Sequence, residues 1–111
     1  MITIILLFAV AAVFGLTLLI PVLQGQTPKR AFVFVHGGIA AIALVMLLLE
    51  FMKEGNMVPQ ISVILFVVAA LGGFILFARD LQKKTIPKGL ALVHAGAAVV
   101  AFLILLFAVI S

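Results

Sequence analysis

Four apolar runs, roughly Ile2–Leu23, Ala31–Met52, Val58–Ala78 and Leu90–Ile110, take up most of this 111-residue chain. Each has the length of a helix that crosses a hydrocarbon core of about 30 Å. A chain that is 68% hydrophobic and 9% charged cannot hide that surface in its own interior at this size. Lipid is the solvent this composition requires, and an all-α four-helix transmembrane bundle filling residues 1–111 as one domain is the expected fold.

The breaks between the runs are short. Gln24–Arg30 contains Pro28, Lys53–Met57 contains a Gly-Asn pair, and Arg79–Gly89 contains Pro87. Connections of this length make neighbouring helices antiparallel. The first run has no basic segment before it and is longer than a signal-peptide core, so it is expected to be retained as structure. Lys29, Arg30, Arg79, Lys83, Lys84 and Lys88 fall in or beside the first and third connections, whereas the second offers only Lys53, near Glu50 and Glu54. The positive-inside rule then places the first and third connections in the cytoplasm and both termini outside, in a bacterial inner membrane. The net charge of +4 is thus a topology signal, and no nucleic-acid partner is expected. Absence of cysteine excludes a disulfide framework, an iron–sulfur cluster or a thiolate metal site. Trp and Tyr are also absent, so the usual interfacial aromatic belt is missing.

Shifting the sequence by 58 positions lays residues 59–111 on residues 1–53 without a gap, and 17 of the 53 aligned pairs are identical. Ala11-Ala12 falls on Ala69-Ala70, Gly15 on Gly73, Leu23-Gln24 on Leu81-Gln82, Thr27 on Thr85 and Val35-His36 on Val93-His94. Each unit holds two spans, so a duplication of this kind gives a parallel repeat with its pseudo-two-fold axis along the membrane normal. The retained positions His36, Ala40, Ala43 and Leu47 are spaced as one helix face, as are His94, Ala98, Ala101 and Leu105. Phe8, Ala12, Gly15 and Leu18 pair with Phe66, Ala70, Gly73 and Leu76 on the partner helices. These faces are expected to form the bundle interior. Counting outward from Thr27 and Thr85 sets the histidines level with Leu18 and Leu76. The next two layers are Gly15, Gly73, Ala40 and Ala98, then Ala12, Ala70, Ala43 and Ala101. Such layers are unusually small for a four-helix core.

His36 and His94 are the only histidines. An ionisable ring inside a membrane span is costly and points to function. The second and fourth helices of an up-down bundle are diagonal neighbours, so these rings should face each other at one depth. That arrangement suits a haem iron with two axial imidazoles. The small layers would leave room for the porphyrin, and Lys29, Arg30, Arg79 and Lys88 could meet its propionates. Without cysteine the attachment would be non-covalent, giving haem b.

At this point the pattern resembles the transmembrane b-type cytochromes, four-helix bundles that hold haem between histidines on diagonal helices. The resemblance implies His36 and His94 as axial ligands and Gly15 and Gly73 as the places where the ring approaches backbone. It implies one-electron transfer with a redox partner such as a quinone, a small oxidant or another cytochrome. Enzymatic turnover is not indicated by any acid–base pair. Members that relay electrons across a membrane stack two haems on four histidines. Two histidines allow one bis-histidine haem per chain, or a homodimer with ligands shared between copies.

Other readings stand beside it. The histidines could be an interhelical hydrogen-bonded pair, and glycine and alanine could simply allow close helix packing. Length and span count are similar to those of the small multidrug-resistance transporters, but those need a glutamate in the first span, which has no acidic residue here. Two histidines without carboxylates or thiols make an incomplete divalent-metal site. A membrane subunit without a cofactor is the remaining class. Phe32 and Phe34 are read as filler, and Met46, Met52 and Met57 lie away from the histidines. Arg79-Asp80 is expected to form an interfacial ion pair.

Overall fold

The structure, a computed structural model, describes all residues 1–111. It contains four helices: α1 Ile2–Leu23, α2 Arg30–Glu54, α3 Gln60–Leu81 and α4 Lys88–Ile110, with a single 3-10 turn at Gly55–Met57. Each is long and apolar enough to span a membrane. Together they have the construction of an integral membrane protein. The bundle is 41 Å long, more than a hydrocarbon core of about 30 Å requires.

Helix ends follow from local chemistry. α3 and α4 begin directly after Pro59 and Pro87, whose extended backbones serve as N-caps. α1 and α3 close with the same C-terminal motif. The Gln26 amide bonds the Pro21 carbonyl at 2.8 Å and the Lys84 amide bonds the Arg79 carbonyl at 2.9 Å. One residue earlier in each, Gly25 and Lys83 take positive φ values of 76° and 57°. Glycine adopts that conformation freely and lysine does not, so the second turn is the more strained.

α1 packs on α2, and α3 on α4, as two hairpins; α1 also meets α4, and α2 meets α3. That leaves α1–α3 and α2–α4 as the diagonals. The dense core lies towards the end that holds the termini. Phe8 and Phe66 stack across the α1–α3 diagonal with ring centres 4.0 Å apart and planes 8° from parallel. Around them Ile4, Val63, Ala43, Leu47, Ala101 and Leu105 are buried, the last four at 0% exposure. Ser62, also fully buried, donates its hydroxyl to the Ala101 carbonyl at 2.8 Å and so leaves no orphan polar group there. Towards the basic end the interior loosens. Gly15, Leu18, Ala40, Gly73, Leu76 and Ala98 are only half-buried.

Several sequence expectations need correction. Ala11 and Ala69 line the interior of α1 and α3, while Ala12 is exposed and Ala70 half-buried. α1 is apolar all round, so periodicity cannot choose between adjacent alanines. The spans read as Ala31–Met52 and Val58–Ala78 are displaced too, since α2 runs through Glu54 and α3 through Leu81. Hydropathy stops at the first charge, but a helix runs on to its cap.

Candidate functional site: a facing histidine pair

His36 lies two turns into α2. Its Nδ1 donates to the Ala11 carbonyl of α1 at 2.7 Å, and a Cβ placed on Gly15 would lie 3.0 Å from its Cε1. The second hairpin repeats this arrangement. His94 Nδ1 donates to the Ala69 carbonyl at 2.6 Å, and a Cβ on Gly73 would lie 3.1 Å from its Cε1. Each imidazole is thus clamped edge-on against the first helix of its own hairpin, in a notch that only glycine leaves open. The partner residues differ in number by 58 at every point of contact.

The rings are therefore level with the turn between Ala11 and Gly15, not with Leu18 and Leu76. The reason is the chain between the helices. Gln26–Lys29 has no helical structure and Lys29 is extended. Extended residues advance about 3.1 Å each against about 1.5 Å in a helix, so equal residue counts do not give equal depths.

The two rings meet across the α2–α4 diagonal, their centres 6.2 Å apart and their planes 87° from parallel. Neither nitrogen bonds to the other histidine. A carbonyl only accepts, so Nδ1 carries the proton in each ring and the Nε2 lone pair is left without a hydrogen-bond partner. This is the arrangement in which a second hydrogen bond orients an imidazole for a metal. Two imidazoles on opposite sides of one metal, with bonds of about 2.0 Å, would have ring centres roughly 6.3 Å apart.

Comparison of the chain with protein-family models, with curated proteins and with solved structures found no match.

The other residues singled out in the sequence divide sharply. Ala40 and Ala98 lie one turn beyond the histidines on their own helices. The notches at Gly15 and Gly73 are filled by imidazole, which takes the space expected there for a porphyrin. Arg79 donates from Nε to the Thr85 carbonyl at 2.9 Å and does not pair with its neighbour Asp80. Consecutive residues on a helix do not face each other. Asp80 instead meets Arg30 across the α2–α3 seam, with Nε to Oδ2 at 3.5 Å. Lys29 lies 5.8 Å over the Phe32 ring, and Lys88 is exposed at the start of α4. Phe32 packs on Phe14 within the first hairpin, and Phe34 meets Phe77 edge-on across the α2–α3 seam. No three His, Asp or Glu side chains come together as a metal cluster. Two surface clefts, of about 500 and 320 Å3, lie at the terminal end, one along Leu103–Ile110 and one beside Met1 and Lys53.

Proposed function

We propose that this chain is a membrane b-type cytochrome that holds one haem through His36 and His94. The observation that carries the reading is the facing pair of imidazoles, 6.2 Å apart, each with Nδ1 tied to a backbone carbonyl. Haem bound there would supply one-electron chemistry at its iron. The chain's own work is to leave both Nε2 lone pairs unbonded, to hold the rings through Nδ1, and to surround them with apolar side chains. The half-buried layer at Leu18, Ala40, Leu76 and Ala98, outside the imidazole-filled notches, is where the bundle offers least resistance to a planar group. Lys29, Arg79, Lys83, Lys84 and Lys88 all lie at that end without a carboxylate partner, and of these Lys29 and Lys88, at the starts of the histidine-bearing helices, are suited to propionates. The electron partner belongs to the class of membrane quinones, small oxidants or other cytochromes.

The test is a reduced-minus-oxidised visible spectrum of detergent-purified protein, with a pyridine haemochrome assay. One haem per chain and a sharp low-spin b-type α band are expected. Ferric protein that keeps the 87° angle between the ring planes should also show the strongly anisotropic low-spin electron paramagnetic resonance signal of near-perpendicular imidazoles. A chain that stays colourless after haemin is added would leave only an edge-to-face ring pair, a contact worth about 0.5–1.5 kcal/mol.

The chain reads as a duplicated hairpin, with units 1–53 and 59–111. The support is the recurrence, 58 residues apart, of the histidine clamp, the glycine notch and the helix-closing turn. The basic connections are placed in the cytoplasm of a bacterial inner membrane, with both termini outside. Because the chain lacks cysteine, single introduced cysteines report topology cleanly. In intact spheroplasts an impermeant maleimide should label Met57→Cys and spare Gln82→Cys. The reverse pattern would invert the assignment.

A further inference from the structure

Asp80 stands apart from the other polar groups near the membrane. It is 6% exposed, near the end of α3, and its Oδ2 has no hydrogen-bond partner. A buried carboxylate left short of partners is costly. Arg30, the first residue of α2, is the group that meets it. Arg30 Nη2 donates to the Asp80 main-chain carbonyl at 3.1 Å, and Nε lies 3.5 Å from Oδ2. These two residues form the one ion pair in the molecule, and it joins the two hairpins.

The opposite seam has no such link. The residues 58 positions away are Val22 in place of Asp80 and Lys88 in place of Arg30. Val22 is buried at 7% exposure, so the site accepts an apolar side chain, and Asp80 is not there to fill space. What the pair adds is direction. Arg30 lies six residues before His36 on α2, and Asp80 seven after Gly73 on α3, the residue against which His94 rests. Helices of about 1.5 Å rise per residue are stiff over these two turns. The edge contact of Phe34 with Phe77 lies on the same seam, with ring centres 5.7 Å apart.

We propose that Arg30 and Asp80 are positioning residues, a clasp that fixes α2 against α3 and so sets His36 against His94. Each histidine is clamped only within its own hairpin, so the distance between them depends on how the hairpins are held together. Along the α2–α3 seam the clasp supplies that hold with a direction that apolar packing lacks. The proposal rests on the cytochrome reading for its consequence, though not for its geometry.

Spin labels on cysteines at the exposed positions Ala31 and Ala78 measure the seam, and a pair at Ala78 and Gly89 measures the second hairpin alone. Asp80→Val should lengthen and broaden the first distance and leave the second unchanged. Asp80→Asn, which keeps the size, should do the same in smaller degree. Arg30→Lys should restore most of the distance that Arg30→Gln loses. In haem-loaded protein the same variants should shift the low-field resonance of the near-perpendicular pair towards the rhombic pattern of more parallel planes. An unchanged Ala31–Ala78 distance in both Asp80 variants would overturn the clasp. Failure of the parent chain to bind haem would sink the cytochrome reading alone, because the label distances are measured without cofactor.

Discussion

Replacing either His36 or His94 by alanine is expected to abolish the six-coordinate low-spin spectrum entirely while leaving the protein in the membrane. Insertion depends on the hydropathy of α2 and α4, which one alanine does not lower. Ligation depends on a lone pair that no neighbour can replace. The chain has no cysteine, and its four methionines sit elsewhere: Met1 and Met46 are packed against the terminal-end core, and Met52 and Met57 are exposed past it. The two substitutions should be equivalent, because each ring makes the same contacts in its own hairpin. Visible spectra with added imidazole provide the control. Exogenous imidazole should recover part of the low-spin band in either variant, since the opposite histidine is still clamped. A variant that keeps its full α band without one histidine would remove that residue from the ligand set.

The second large effect is expected at the glycines. An added Cβ on Gly15 would come within 3.0 Å of the His36 ring, and on Gly73 within 3.1 Å of the His94 ring. Gly15→Ala therefore forces the ring to move by a few tenths of an ångström, against a hydrogen bond to Ala11 that is already 2.7 Å long. Gly15→Leu fills the notch and expels the imidazole from it. Overpacking of this kind costs about 1–3 kcal/mol, which a four-helix bundle in lipid can absorb without unfolding. The loss should appear in haem stoichiometry, near zero for either leucine variant and intermediate for alanine. Gly37→Ala makes a matched control, since nothing lies within 4 Å of its Cβ position. Full haem occupancy in Gly15→Leu would mean that the clamped ring position is not the one that binds metal.

Much of this architecture was legible in the amino-acid order. Four spans follow from hydropathy alone, and a lone histidine in each of two matching spans points to the pair that the fold brings together. Depth was not legible, because residue counting treats an extended connection and a helix as equally long. The gap at Gln26–Lys29 moved the histidines from the level of Leu18 to the turn between Ala11 and Gly15. The role of the glycines was half legible. Their small size marks a close approach, but only coordinates show that imidazole makes it. Asp80 was misread because its sequence neighbour Arg79 is the obvious cation, whereas on a helix the partner comes from across a seam. Here that partner is Arg30, 50 residues away.

The stacked Phe8 and Phe66 rings sit one turn from the histidines, on the side of the termini, with Leu47 and Leu105 sealed nearby. In mechanical terms this end of the bundle is its stiff base, and the basic half is the part that can yield. A group entering between the hairpins would part the half-buried layer at Leu18, Ala40, Leu76 and Ala98 before it disturbed the stacked rings.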